Sequence, residues 1–281
     1  TVPWEQATDV LSLIKKLKRQ KIQVVALEIT KQSVALEKFQ PRYPVALIVG
    51  NEVTGVEKTT LKAVDAYLSK QSYEYEILVV NAGSTDRTKE VVQNAMLKVR
   101  NLNIMDVENR GKGYAVREGM LRARGQYRMF MDADNSTSID QVGKMWAEFE
   151  KGFEVVIGSR DMKGAQIAVR QSLWRQMLGN IFNLIVQTLS GLWGMWDTQC
   201  GFKGFEAKAA QTIFSRATID QWAFDVEVLV IARKLGYKIK EIPVTWANDK
   251  ESKVRLKGMV KMLLEVLQIS INNLMGKYRS E

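Results

Sequence analysis

Histidine is absent from the 281-residue sequence, and cysteine occurs once, as Cys200. Without histidine the chain cannot form a Ser-His-Asp triad, use imidazole as a general acid or base, or ligate zinc through histidine. A single cysteine excludes an intrachain disulfide and a cysteine-cluster metal site, and it fits a reducing compartment. The composition therefore favours function classes that need neither imidazole nor a cysteine cluster.

Long hydrophobic runs are scarce as well. The uncharged stretch 177–196 contains two asparagines, one glutamine and three glycines. This polarity argues against a transmembrane span and leaves open a position at a membrane interface.

Acidic residues are fewer than basic ones, 31 against 41, which gives a net charge of +10. Such a balance favours anionic partners: sugar nucleotides, lipid phosphates, an acidic membrane surface or nucleic acid. The alternative is a surface that is basic without a specific partner. The length suits one large α/β domain or two small ones.

Strand and helix patterns alternate from residue 59 onward. Strands are predicted at 75–80, 102–105, 127–131, 154–157 and 237–246, and helices at 61–68, 88–97, 114–123, 138–150, 171–189, 221–235 and 254–275. This alternation predicts an α/β fold with a mostly parallel sheet, helices on both faces and a site at the carboxyl ends of the strands.

Two carboxylates, Asp132 and Asp134, follow directly on the predicted strand 127–131. Residues i and i+2 of an extended chain share a face, so both side chains would point the same way. Mg²⁺ or Mn²⁺ bound to a diphosphate suits such a pair, because hard cations take carboxylate and phosphate oxygens. The alternative is an Asp-Asn-Ser turn that caps the next helix.

The predicted C-terminal helix is amphipathic and basic, so it could lie on a membrane surface or pack on its own domain. Lys257 and Lys261 belong to the helix, and Lys277 lies just beyond it.

A series of motifs resembles glycosyltransferase family 2 over residues 59–278. In chain order they are NAGSTD (81–86), GKG (111–113), MDAD (131–134), GSR (158–160), DTQCGFK (197–203), FDVE (224–227) and SKV (252–254). The series is most similar to dolichyl- or polyprenyl-phosphate hexosyltransferases with a GT-A fold. The resemblance implies transfer of a hexose from a nucleotide diphospho-sugar to a polyprenyl or dolichyl phosphate, with glucose from UDP-glucose favoured over mannose from GDP-mannose.

The resemblance also implies roles for individual residues. Asp132 and Asp134 would hold Mg²⁺ or Mn²⁺ against the nucleotide diphosphate. Nucleotide contacts would come from Asn51, Glu52, Asn81, Asp86, Gly111, Lys112 and Gly113. Phosphate ligands would be Arg160, Lys203 and Lys253, while Gln199 and Asp225 would line the sugar and acceptor pocket.

Three of these assignments have simpler alternatives. Lys203 and Lys253 could be solvated surface charges, and Arg160 could merely pair with Asp132 or Asp161. Asp225 could act as a general base if the acceptor were a hydroxyl. A lipid phosphate needs no such base because it is already anionic near pH 7.

The nucleotide-binding turns depart from the family pattern. Ala82 stands where the family has an acidic residue, and the first strand lacks the Pro and Tyr that usually precede the Asn-Glu pair. These departures raise the alternative of a catalytically impaired glycosyltransferase-like protein.

The N-terminal part resembles a different family. The segments VPWEQ, LIKKLK, VVALE and PVALIVGNEVTGV, within 2–57, are similar to SpoU-type RNA 2′-O-methyltransferases, but the later motif that completes their knot is not found. We therefore expect residues 1–43 to be an extension resembling a methyltransferase fragment and residues 44–281 to be the GT-A domain. An RNA methyltransferase is the competing function. For the leading function we expect a cytoplasmic protein attached peripherally to a membrane.

Overall fold

The computed structural model describes residues 23–27, 45–49, 58–84, 87–99, 101–133, 135–167, 173–247 and 256–279. The chain divides into two compact units, Thr1–Val53 and Thr54–Glu281. The amphipathic sequence pattern at 4–20 predicts a further helix, and these residues lie outside the described ones.

The first unit contains two short strands rich in β-branched residues, β1 (Gln23–Leu27) and β2 (Val45–Val49). They pair in parallel, from Gln23 opposite Val45 to Leu27 opposite Val49. Pairing of β2 with β1 puts the boundary between the units at Val53, whereas the sequence analysis placed a domain boundary at residue 43.

The second unit alternates helices and strands, as predicted. In chain order its elements are α1 (Lys58–Leu68), β3 (Ile77–Asn81), α2 (Thr88–Met96), β4 (Leu102–Asp106), α3 (Lys112–Arg122), β5 (Tyr127–Met131), a 3₁₀ turn (Ile139–Gln141), α4 (Val142–Phe149), β6 (Val155–Ser159), β7 (Gln166–Ile167), α5 (Leu173–Ser190), β8 (Phe202–Glu206), α6 (Ala207–Phe214), α7 (Phe224–Lys234), β9 (Ile239–Pro243), β10 (Thr245–Trp246) and α8 (Leu256–Leu274).

Strand direction in the second unit is mixed. β3 pairs with β4 in parallel, and a four-stranded sheet has the order β5-β8-β6-β9. In that sheet β6 and β9 are parallel, while β8 runs antiparallel to both β5 and β6. The α/β fold is confirmed, with one reversed strand in the middle of the sheet.

The reversal of β8 determines which loops meet. Phe202, the first residue of β8, lies opposite Met131, the last residue of β5. The segment that precedes β8 therefore reaches the carboxyl end of β5, where Asp132 follows. Two motifs that are about 65 residues apart in sequence thus come together because antiparallel strands start and finish at opposite ends.

The sheet is buried between helices. Every residue of β6 is buried, and α7 is buried from Phe224 to Ala232. The main apolar cluster joins Ile157 of β6, Phe205 of β8 and Leu229 of α7 with α5 and α8. No described helix is both long enough and apolar enough to cross a bilayer.

Candidate active site

Asp132 lies where β5 meets the segment that precedes β8. Its backbone N–H donates to the carbonyl oxygen of Gly201 at 3.1 Å. A Cβ atom added at Gly201 would lie only 2.1 Å from Asp132 Oδ2. Glycine at 201 therefore leaves the space that the carboxylate occupies.

Lys112 is the cation that faces Asp132. Its Nζ lies 2.5 Å from Asp132 Oδ1, and the two side chains are 37% and 30% exposed. Lys112 begins α3 directly after Gly111. The pair thus stands at the mouth of the site, where an anionic ligand can reach it.

A second ion pair lies in the core beside the first. Lys203 Nζ is 2.6 Å from Asp225 Oδ1 and also donates to the carbonyl oxygen of Cys200 at 2.6 Å. Lys203 is fully buried and its ammonium lies 5.7 Å from the Phe130 ring centroid. The phosphate ligand and the solvated charge considered above both need an exposed ammonium, whereas the structure buries it in the central strand β8.

The two ion pairs interact electrostatically, and the charges of the Lys112–Asp132 pair affect the pKa of Asp225. Burial raises the pKa of Asp225, the positive charges of Lys203 and Lys112 oppose that rise, and the negative charge of Asp132 adds to it. Burial likewise raises the pKa of the neighbouring Cys200 thiol to about 11. The site therefore contains alternating charges that run from the exposed Lys112 to the buried Lys203.

Arg160 binds a partner that sequence analysis missed. Its Nε and Nη2 donate to Asp197 at 2.6 and 2.7 Å, and its backbone N–H adds a third bond at 2.9 Å. Neither Asp132 nor Asp161, the partners considered from sequence, forms this ion pair. The reason is that Asp197 precedes β8 and meets the end of β6 through the antiparallel pairing of β6 and β8.

The Arg160–Asp197 pair is fixed electrostatically. Burial raises the pKa of the Asp197 carboxyl, but the charge and hydrogen bonds of Arg160 outweigh burial and the net pKa is lowered. Burial lowers the pKa of the Arg160 guanidinium, and the Asp197 charge outweighs it, so the net pKa is raised. The Arg160 side chain as a whole remains 30% exposed.

Gln199 belongs to the same segment. Its backbone N–H donates to Asp197 Oδ1 at 3.3 Å, and the residue is half-buried. Arg160 therefore fixes Asp197, and Asp197 in turn holds the backbone of the segment that carries Gln199 and Gly201.

Asn81 ends β3 and organises the turn that follows. Its Oδ1 accepts from the Ser84 N–H at 3.2 Å, and its Nδ2 donates to Asp106 Oδ1 at 2.7 Å. Hydrogen bonds from Lys89 and Asn81 lower the pKa of Asp106. The Asn81 side chain thus holds the turn together from within, and its contact with a nucleotide stays a prediction.

The structure explains why the GKG motif has glycine at both of its glycine positions. Gly111 has φ +132°, and an added Cβ would lie 2.4 Å from the carbonyl oxygen of Asp220. At Gly113 an added Cβ would lie 2.5 Å from the carbonyl oxygen of Ile219. Both glycines permit close packing of two loops, and their approach to a nucleotide remains a prediction.

Five predicted site residues lie outside the described residues: Asn51, Glu52, Asp86, Asp134 and Lys253. Of the others, the structure brings Lys112, Asp132, Lys203 and Asp225 together. Asp197 and Gly201 are site residues to which sequence analysis gave no role, although both belong to the DTQCGFK motif.

Among the described residues, Asp132 is a carboxylate that suits a divalent cation. They contain no group of three or more His, Cys, Asp or Glu side chains that could hold a metal, and Asp134 is not among them. Lys112 donates to Asp132 Oδ1, and within the described part of the chain no hydrogen bond to Asp132 Oδ2 is found. Mg²⁺ is commonly held by one or two carboxylates together with substrate phosphates and water, which suits this oxygen.

The comparisons with known proteins identify the family of the chain. The family model described as Glycosyl transferase family 2 matches residues 45–214, so the chain belongs to that family. The model described as SpoU rRNA Methylase family matches residues 1–78 and overlaps it at 45–78.

Two curated relatives come from Trichomonas vaginalis, and both carry the name dolichyl-phosphate beta-glucosyltransferase. One is 38% identical over 73% of this chain and 64% of its own length. The other is 35% identical over 83% of this chain and 74% of its own length. The chain thus spans about two thirds to three quarters of these relatives.

A solved structure has a similar fold. It is glucosyl-3-phosphoglycerate synthase from Mycobacterium tuberculosis in complex with Mn²⁺, UDP-glucose and phosphoglyceric acid. The TM-score is 0.55 and the identity 14%, over 98% of this chain and 86% of that one. This likeness establishes the GT-A-like fold.

Proposed function

We propose that this protein transfers glucose from UDP-glucose to the phosphate of a dolichyl or polyprenyl phosphate. The observation that carries the proposal is the partly exposed Lys112–Asp132 pair at the end of β5, in a chain of this family. The names of the relatives support glucose as the sugar and dolichyl phosphate as the acceptor.

The transfer exchanges one bond for another at the anomeric carbon of the sugar. A phosphate oxygen of the acceptor forms the new C–O bond, while the bond to the UDP diphosphate breaks and its electron pair stays on the leaving oxygen. The acceptor phosphate needs no deprotonation, because its second pKa is about 6. The task of the protein is then to position two phosphates and to stabilise the leaving diphosphate.

Lys112 and Arg160 are the described cations that suit this task. Lys112 would neutralise the diphosphate next to Asp132, and the exposed part of Arg160 would bind a phosphate of donor or acceptor. Lys253 is proposed as a further phosphate ligand. When Mg²⁺ or Mn²⁺ is bound it stabilises the charge of the departing diphosphate. Asp132 and Asp134 would hold that ion.

Asp225 is unsuited to act as a base toward this acceptor. One of its oxygens is bonded to Lys203, and the side chain is almost wholly buried. We therefore assign the Lys203–Asp225 pair to supporting the sugar end of the site. Dolichol, which offers a hydroxyl instead of a phosphate, should give no product.

The test is transfer of labelled sugar into a lipid extract. The full chain is incubated with dolichyl phosphate and Mn²⁺ or Mg²⁺, with UDP-glucose or GDP-mannose as donor. We expect label in the lipid from UDP-glucose, and little from GDP-mannose. Label from GDP-mannose alone would overturn the donor assignment, and no label from either donor would overturn the function.

We further propose that the protein attaches peripherally to the cytoplasmic face of a membrane. Helices α5 and α8 pack through Val186, Val266 and Ile269 and leave a stripe of exposed apolar side chains. The stripe, called the apolar face below, comprises Ile181, Leu184, Ile185, Val260, Leu264, Leu267, Ile271 and Leu274.

Charge and aromatic residues around the apolar face favour a bilayer as its partner. Trp193 and Trp196 follow α5 and are more than half exposed, and tryptophan prefers the membrane–water interface. Lys261 and Lys277 are exposed cations on or just after α8, which suits anionic lipid headgroups. The acidic Glu265 of α8 instead accepts a hydrogen bond from the Ala223 N–H.

A further inference from the structure

Glu227 is a buried carboxylate that the proposed chemistry does not use. It lies in the first turn of α7 and is fully buried. Oε2 accepts from the backbone N–H groups of Thr218 and Ile219 at 2.9 and 2.8 Å. Oε1 accepts from the Thr218 hydroxyl and the Tyr278 hydroxyl, both at 2.7 Å. Each of its oxygens therefore accepts two hydrogen bonds, as an ionised carboxylate can.

These four bonds are needed because Glu227 has no cationic partner within the described residues. A buried charge is costly unless hydrogen bonds replace its hydration. The positive end of the α7 dipole also favours a carboxylate in its first turn. The consequence is that Thr218, Ile219 and Tyr278 are held tightly in place.

Thr218 and Ile219 belong to a loop, residues 217–221, that packs on the GKG motif. The carbonyl oxygen of Asp220 accepts from the Tyr114 N–H at 3.0 Å. Gln221 Nε2 donates to the carbonyl oxygen of Arg110 at 2.5 Å. The close contacts of Gly111 and Gly113 described above are with this same loop.

Ion pairs also connect the 217–221 loop to the residues on either side of the GKG motif. Asp220 pairs with Arg110 at 2.6 Å and with Arg117 at 2.9 Å. Arg117 also donates to the carbonyl oxygen of Ala217 at 3.1 Å. The position of Lys112 opposite Asp132 therefore depends on the 217–221 loop.

We infer that Glu227 is a positioning residue for donor binding. It fixes the 217–221 loop, and that loop fixes Gly111 to Gly113, so Lys112 faces Asp132. Tyr278 makes the segment after α8 part of the same support. Asn272 of α8 donates to the Tyr278 hydroxyl at 3.3 Å and so links the helix of the apolar face to it. The inference rests on the proposed function in taking the donor to be a nucleotide sugar.

The test uses two mild substitutions in the full chain, Tyr278→Phe and Thr218→Val. Each substitution removes one hydroxyl group that donates to Glu227, and the substituted side chain keeps its shape. Tyr237→Phe is the matched control, because Tyr237 packs against the same core and has no hydrogen bond to Glu227. UDP affinity is measured by calorimetry with Mn²⁺, stability by thermal unfolding, and loop protection by hydrogen exchange of peptides covering 108–116.

We expect Tyr278→Phe and Thr218→Val each to raise the UDP dissociation constant by about three- to tenfold, as the loss of one hydrogen bond can do. Hydrogen exchange in 108–116 should accelerate in both variants and stay unchanged in Tyr237→Phe. Lower melting temperatures with unchanged UDP affinity and unchanged exchange would make Glu227 merely structural and overturn the inference.

Failure of the proposed function gives a different result. If the wild-type chain binds no UDP, the proposal of a UDP-sugar donor is wrong. The proposal that Glu227 positions the site for that donor is then wrong as well. Hydrogen exchange then reports separately whether Glu227 supports the GKG motif. If wild-type binding is normal and both variants match it, only the inference about Glu227 is wrong.

Discussion

At the scale of single residues, Lys203 and Asp225 place opposite charges side by side in the core. Removing one partner from a buried pair leaves an uncompensated charge, which typically costs about 3–5 kcal/mol. We expect Lys203→Met to lower the free energy of unfolding by about this amount at neutral pH, as measured by urea denaturation. Lys240→Met is the control, because Lys240 lies over the Phe153 ring and has no ion pair within the described residues.

The loss in Lys203→Met should depend on pH with a definite sign. Burial raises the pKa of Asp225 and Lys203 opposes the rise, so removing Lys203 raises that pKa further. Between the Asp225 pKa of folded wild type and the still higher pKa of the folded variant, the variant binds a proton that folded wild type and the unfolded chain release. Its stability relative to wild type should therefore fall as pH rises through that window. An equal loss at pH 5 and pH 8 would show that Asp225 does not carry the effect.

Ala82 is the residue at which the nucleotide-binding turn departs from its family. Asn81 already supplies the internal bonds of the turn, so a carboxylate at 82 would be available to a ligand. We expect Ala82→Asp to tighten UDP binding by about fivefold or more, the gain from one added hydrogen bond. Ala82→Asn is the control for side-chain size. Equal affinities of Ala82→Asp and wild type in calorimetry would remove the nucleotide role of this turn.

At the scale of elements, the sequence predicted most strands and helices of the second unit. Apolar runs that end in polar residues predicted β3, β5 and β6, a long apolar pattern predicted α5, and an amphipathic pattern predicted α8. Strand β8 was missed, because the glycines of GFKGF weaken the strand pattern. Gly204 packs closely on α4, since an added Cβ would lie 2.9 Å from Met145 Sδ.

The parts of the site that sequence could not predict depend on that missed strand. The antiparallel direction of β8 puts Asp197 next to Arg160 and buries Lys203. Sequence motifs identified Arg160 and Lys203 as functional candidates, but they did not indicate Asp197 as the partner of Arg160 or Asp225 as the partner of Lys203. Glu227 was visible only as a member of the FDVE motif, because its four donors come from residues 218, 219 and 278.

The apolar face formed by α5 and α8 yields a prediction about membranes. We expect Leu264→Asp combined with Ile271→Asp to abolish cosedimentation of the full chain with vesicles that contain anionic lipid. Both residues are more than half exposed, so the fold should tolerate the change. Leu97→Asp is the control, because Leu97 is 84% exposed and lies outside these helices.

If the double variant cosediments with vesicles as well as wild type does, the membrane contact lies outside the apolar face. Dimers of the wild-type chain in sedimentation velocity, lost in the double variant, would identify a second copy as the partner of the apolar face instead of a bilayer.

At the scale of the whole molecule, the chain combines sequence matches to two different families, which overlap at residues 45–78. The SpoU model matches residues 1–78, but the motif that would complete a cofactor site is not found in the sequence. We therefore expect no heat of binding when S-adenosylmethionine is titrated into the full chain. UDP with Mn²⁺ in the same calorimeter is the positive control. Measurable S-adenosylmethionine binding would restore the methyltransferase as a second function.

The central claim is that Asp132 serves a nucleotide sugar whose glucose passes to a lipid phosphate. The most direct measurement is the rate of label transfer from UDP-glucose to dolichyl phosphate by wild type and Asp132→Asn, each with Mn²⁺ or with EDTA. We predict transfer by wild type with Mn²⁺, and a loss of at least a hundredfold in EDTA or in the variant, as expected when charge stabilisation of the leaving group is removed. Equal transfer by wild type and Asp132→Asn, or no transfer by wild type, would contradict the claim.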